Sequence, residues 1–115
     1  MHEYSIVSAL IERVSSEVEK RGPSVVTRLW VQVGDLSGVD PELLRTAYET
    51  FRERTVCEAA ALELERVPVR WACSRCECPI PSGTALRCPE CESPAKLFAG
   101  DEIVLQRIEM EVADV

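Results

Sequence analysis

Two Cys-x-x-Cys pairs, Cys73/Cys76 and Cys88/Cys91, stand eleven residues apart in the C-terminal half of the chain, and nothing else in it limits the fold as much. A Cys-x-x-Cys turn brings two sulfurs within reach of one ion. Two such turns at the ends of a short hairpin complete the tetrahedral shell that zinc accepts. A closed S4 shell leaves no coordination position for water or substrate, so the reading is structural zinc; a rubredoxin-like iron centre shares the geometry, and spacing alone does not separate the two. Zinc binding of this kind is worth ~10–16 kcal/mol in small peptides. That suffices to order a segment whose large apolar residues are Trp71, Ile80, Leu86, Leu97 and Phe98.

Six cysteines in 115 residues fall below the density of a disulfide scaffold. The N-terminal apolar run, Ile6 to Ile11, is interrupted by Ser8, lacks a basic leader and meets Glu12 and Arg13 at once, so neither a signal peptide nor a membrane span is expected. The cysteines are therefore expected to be reduced metal ligands of a cytoplasmic protein. With 13 Lys+Arg against 20 Asp+Glu the formal charge is −7, and four thiolates around one Zn2+ make it more negative by about 2. Such a surface repels nucleic acid and anionic membranes.

The periodicities describe an α+β protein. Ser5 to Lys20 reads as a helix burying Val7, Leu10, Ile11, Val14 and Val18, ended by Gly22-Pro23. Val25 to Val33 alternates as a strand, with Thr27, Leu29, Val31 and Val33 on one face and Val26, Arg28, Trp30 and Gln32 on the other. Residues 34–38 form a loop. Asp40-Pro41-Glu42 opens a second helix, with Asp40 as N-cap, Pro41 at the first helical position and a stripe of Leu44, Ala47, Tyr48 and Phe51. Ala60 to Val67 and Ile103 to Val112 read as two further strands. The expected architecture is two helices packed on a three-stranded mixed sheet, the first two strands parallel through a right-handed crossover, with a four-cysteine zinc-ribbon-like module inserted before the last strand. Residues 1–68 plus 99–115 form the core domain, and 69–98 form the module, with Pro68 and Ala99-Gly100 as hinge points between them.

Three residues outside the cysteine quartet bear on chemistry. Cys78 extends the first knuckle to Cys-x-x-Cys-x-Cys and reads as a spare thiol, or second as a ligand exchanging with Cys76. Cys57 reads as a small buried apolar residue. His2, the single histidine, follows the initiator methionine. There a free α-amine, the next amide nitrogen and the imidazole close fused chelate rings with three nitrogens in one plane, a donor set suited to Ni(II) or Cu(II), and Glu3 offers a fourth donor. A bulky second residue is expected to leave Met1 in place. Amine and imidazole must both shed protons to bind, so affinity falls below neutral pH.

Met1-His2-Glu3-Tyr4-Ser5 heading an amphipathic helix, then a strand, then Gly34-Asp35-Leu36-Ser37 and Asp40, then Ala47-Tyr48-Glu49-Thr50-Phe51, then the four-cysteine module, together resemble the HypA/HybF family of nickel metallochaperones in [NiFe]-hydrogenase maturation. The resemblance spans essentially the whole chain. It implies a transferable Ni2+ held by the Met1 amine, the His2 amide and imidazole and Glu3, with Asp40 nearby, and a Zn2+ held by Cys73, Cys76, Cys88 and Cys91. It further implies two partners, the nickel-handling GTPase HypB and the hydrogenase large subunit, with urease as a client of some relatives. The sequence leaves the oligomeric state open, a homodimer included. The eleven-residue gap is slightly short for the family, and Cys78 is an extra sulfur.

Two other classes fit less well. A zinc-ribbon module for protein interaction or nucleic-acid binding, in its nucleic-acid form, calls for a basic surface, yet Arg70, Arg75, Arg87 and Lys96 face Glu77, Glu90 and Glu92 in the module. A zinc hydrolase calls for an open mixed shell, and there is no His-x-x-x-His pair. A binding and delivery protein, not an enzyme, is the reading that remains.

Overall fold

The computed structural model describes residues 2–81 and 86–112, and of His2 the backbone alone. Its elements run α1 (His2–Arg21), β1 (Ser24–Gly34), α2 (Pro41–Phe51), β2 (Ala61–Val67), β3 (Arg70–Cys73), β4 (Pro79–Ile80), β5 (Ala95–Ala99) and β6 (Ile103–Val112). They build two sheets. The first has the order β2-β1-β6, with β1 parallel to β2 and antiparallel to β6; the second has the order β4-β3-β5 and is antiparallel throughout. The expected α+β architecture is thus present, with two helices on a mixed three-stranded sheet and the cysteine segment inserted before the last strand.

One apolar cluster holds the helices to the first sheet: Val7, Leu10 and Val14 of α1, Val26, Leu29, Val31 and Val33 of β1, Leu44, Ala47 and Tyr48 of α2, and Leu62 of β2 are all buried in it. α2 begins as its sequence dictates. Asp40 has extended backbone and its carboxylate accepts from the Glu42 N–H at 2.9 Å, while Pro41 occupies a position whose N–H has no helical partner. Tyr48 keeps a polar tip in this core by donating its hydroxyl to the Ala60 carbonyl at 2.8 Å.

Three details depart from simple periodicity. α1 starts at His2 rather than Ser5. Val26 belongs to the core face and not to the face of Arg28 and Trp30, because the pairing passes from Val26↔Met110 to Arg28↔Glu109 and leaves Thr27 as an extra residue. Phe51 is half-exposed and meets Tyr4 edge to face, with ring centroids 4.8 Å apart. On the opposite face of the sheet the guanidinium groups of Arg28 and Arg107 lie 5.7 and 4.6 Å from the centroid of the Trp30 ring.

The second sheet has little to bury. Its core is Cys73, Ile80 and Cys88, with Trp71 and Ala95 against it; Leu86 and Phe98 are exposed, Phe98 to 70%. The joint between the sheets is packed. The Asp35 N–H donates to Val67 O at 2.9 Å, the Leu36 N–H to Gly100 O at 2.6 Å and the Gly34 N–H to Glu102 O at 2.9 Å. A Cβ on Gly34 would collide with the Gly100 carbonyl, and one on Gly100, whose φ is 104°, would lie 2.7 Å from Val69 Cα. No helix of the described residues is long and apolar enough to cross a membrane.

Candidate metal centres

The two Cys-x-x-Cys turns repeat one hydrogen-bond pattern. In the first, the Cys73 N–H donates to Cys78 O at 2.9 Å and the Glu77 N–H to Cys73 O at 3.1 Å; in the second, the Cys88 N–H donates to Ser93 O at 2.9 Å and the Glu92 N–H to Cys88 O at 2.9 Å. Each turn closes through a left-handed residue just after its second cysteine, Glu77 with φ 63° and Glu92 with φ 59°. That conformation costs an L-residue roughly 1–2 kcal/mol. It persists because the turn directs both sulfurs to the same point.

All four sulfurs, from Cys73, Cys76, Cys88 and Cys91, lie within 4.8 Å of one another. Cys73 and Cys91 approach to 3.4 Å, and Cys76 and Cys88 to 3.6 Å. An S4 tetrahedron with metal–sulfur bonds of about 2.3 Å has edges of about 3.8 Å. The donor set therefore fits a soft tetrahedral ion. Cys73 and Cys88 are buried and Cys76 and Cys91 exposed, so one side of the cage faces solvent.

Backbone N–H groups tune the thiols unequally. The N–H groups of Cys76 and Arg75, each 3.4 Å from the Cys73 sulfur, hold that thiol down to about 6. The Ser93 hydroxyl and N–H lower Cys91 in the same way. At Cys76 and Cys88, N–H groups again favour the thiolate, from Cys78 in one case and from Cys91 and Glu90 in the other. Burial and neighbouring thiols outweigh them, and both are pushed up to about 11. Each close sulfur pair thus joins one cysteine of the first turn to one of the second, and an ion that displaces the remaining protons completes the shell. The sequence pattern did not reveal Ser93 as a partner of Cys91; a hydroxyl two residues past the second cysteine was the available signal.

Cys78 stands beside this cage, its N–H and thiol both directed at the Cys76 sulfur, and is not one of the four convergent donors. Cys57 is fully buried in the apolar core of the first sheet. At the other end of the chain, Met1 and the His2 side chain lie outside the described residues. Glu3 is described: it sits in the first turn of α1, only 7% exposed, and its Oε2 accepts the Asp40 N–H at 3.4 Å. Glu3 and Asp40, 37 residues apart, are thereby brought together. The Asp40 carboxylate itself is turned to the Glu42 N–H.

A mixed sheet carrying two helices, with a four-thiolate cage inserted before its last strand, defines a small metal-handling protein. Residues 1–110 match the family described as HypA, hydrogenase/urease nickel incorporation, metallochaperone. Similar proteins include the hydrogenase maturation factor HypA of Shewanella baltica strain OS185, 37% identical over 96% of this chain and 97% of the relative, and that of Wolinella succinogenes, 38% identical over 99% and 98%. The solution structure of the Ni metallochaperone HypA from Helicobacter pylori superimposes with a TM-score of 0.74 at 30% identity, covering 96% of this chain and 98% of that one. The chain belongs to the HypA family of nickel metallochaperones for hydrogenase maturation.

Proposed function

We propose that the chain binds Ni(II) at its amino terminus and delivers it to the large subunit of [NiFe]-hydrogenase, with urease as a further client and the GTPase HypB as its partner in nickel handling. The Met1 amine, the His2 amide and imidazole and the Glu3 carboxylate hold the cargo, while Cys73, Cys76, Cys88 and Cys91 hold a resident Zn2+. Residues 1–68 plus 99–115 serve as the nickel domain and 69–98 as the zinc module, in a cytoplasmic protein without catalytic turnover. The observation that carries this reading is the buried Glu3 carboxylate, fixed by the Asp40 amide one residue from His2 in a chain of the HypA family. Few ligands at a chain end suit an ion that must be handed over. A closed thiolate cage suits one that is kept.

The test is metal analysis of untagged protein whose intact mass establishes Met1 as its first residue. His2→Ala, and separately a short extension before Met1, should abolish stoichiometric nickel uptake while zinc content and the circular dichroism spectrum stay as in the wild type. Stoichiometric nickel retained in both variants would overturn the assignment.

A further inference from the structure

Glu3 is connected to the stem of the cysteine module by one short run of backbone, Gly34 to Asp40. At the stem end, Gly34, Asp35 and Leu36 donate their N–H groups to the carbonyls of Glu102, Val67 and Gly100: Val67 ends β2, which leads out to the module, and Gly100 and Glu102 lie in the connection that leads back from it to β6. The Asp35 carboxylate adds a two-pronged pair with Arg66, at 3.1 and 3.2 Å. The turn then closes on itself: the Ser37 N–H reaches Gly34 O at 3.0 Å, and the Val39 N–H reaches Ser37 Oγ at 3.3 Å. At the far end the Asp40 N–H meets Glu3 Oε2. Among the described residues, every member of the run except Gly38 donates its N–H to an acceptor in the protein: Gly34, Asp35 and Leu36 to the stem, Ser37 and Val39 within the run itself, and Asp40 to Glu3.

We infer that residues 34–40 act as a strap that positions the Glu3 carboxylate for nickel, with Gly34 and its contact on Gly100 as the distant positioning element. The inference rests on the amino-terminal nickel site proposed above. The glycine contact is where the strap is seated. Gly34 is not in the left-handed region, so alanine there is hindered only by its methyl group, which meets the Gly100 carbonyl that receives the Leu36 N–H. Either the strap or the stem must shift. The Asp40 amide then leaves its place over Glu3, while none of the nickel donors has been altered.

The test compares wild type with Gly34→Ala, Ser37→Ala and Gly22→Ala, all zinc-loaded and untagged. Gly34→Ala should weaken nickel binding about fivefold or more, the lower end of ordinary coupling between sites, and should move the Glu3 and Asp40 amide signals in the nickel-free 15N spectrum. Ser37→Ala removes only the acceptor of the Val39 N–H and should weaken nickel about twofold, the low end of one hydrogen bond. Gly22 has φ 80° with nothing within 4 Å of a Cβ. Alanine there strains the backbone outside the strap, and nickel affinity should stay at the wild-type value. Wild-type affinity in Gly34→Ala overturns the strap, as does equal weakening in Gly22→Ala. Should Gly34→Ala fail to fold, unchanged affinity and unchanged Asp40 signals in Ser37→Ala overturn it instead. A wild type that takes up no nickel refutes the nickel site itself, a result distinct from any of these.

Discussion

Cysteine serves opposite purposes in the two sheets. Cys57, beneath the first sheet, is a fully buried apolar filler whose thiol burial pushes up to about 11; Cys73, in the second, is equally inaccessible, yet two N–H groups hold its thiol down to about 6. The surroundings account for this. The first sheet gathers side chains from two helices and all three of its strands around Leu29 and Tyr48, so a thiol there is one more apolar group. The second sheet gathers Ile80, Trp71 and Ala95 around the sulfurs themselves. Where apolar burial is that small, order must come from the metal, and the backbone is spent on aiming donors at it.

The largest effect should come from removing the ion. Trp30→Phe leaves Trp71, against the cage, as the sole tryptophan. Chelating the metal from that variant should red-shift its fluorescence and collapse the amide dispersion of residues 70–99. The signals of α1 and β1 should persist. The expected loss is of the order of the ~10–16 kcal/mol that zinc contributes in small peptides. A module that keeps its dispersed spectrum after complete chelation would end the contrast between the sheets.

The reciprocal experiment is smaller. Leu29 is wholly buried at the centre of β1, and Leu29→Ala should cost about 2–5 kcal/mol in urea unfolding of the first sheet. Zinc content, and zinc affinity measured by competition with a chromophoric chelator, should match the wild type. Loss of zinc in parallel with stability would mean that the two sheets unfold as one unit.

The sequence disclosed what depends on local spacing. The cysteine pairs, the Asp40-Pro41 helix start and the alternation of β6 are each set by residues a few positions apart. It concealed what depends on distant pairing. Val26 faces the core only because Thr27 is an extra residue opposite β6, and nothing within β1 marks that bulge. Phe51 leaves its apolar stripe half-exposed because Tyr4, on another helix, offers a ring edge. Gly34 reads as a loop residue and Gly100 as a hinge until the fold presses their backbones together. Of the candidate sites, the four convergent sulfurs were legible, since one motif supplies each half, while the Ser93 bonds to Cys91 were not. The pairing of Glu3 with the Asp40 amide was not, because that bond spans 37 residues and uses a backbone donor that every sequence has.

The smallest effect tests the contrast at the level of a single proton. Below pH about 8.5, the ordinary thiol value, Cys57 is protonated in both folded and unfolded chains and its pKa shift takes nothing from stability. As pH rises toward 11 the unfolded chain releases this proton while the folded chain, holding the thiol in the apolar core, retains it, so stability falls with pH. Tyr48, also raised by burial, adds a decline of the same sign at higher pH. The other five cysteines ionise alike in wild type and Cys57→Ala, so their part cancels between the two. Urea unfolding at about pH 7.5, 9 and 10, spanning the ordinary thiol value, should therefore show a shallower decline for Cys57→Ala than for wild type, even though alanine costs some packing at every pH. Parallel declines would mean that Cys57 ionises as readily in the folded core as in the unfolded chain, and the two sheets would then differ in their metal ligands but not in how they treat a thiol.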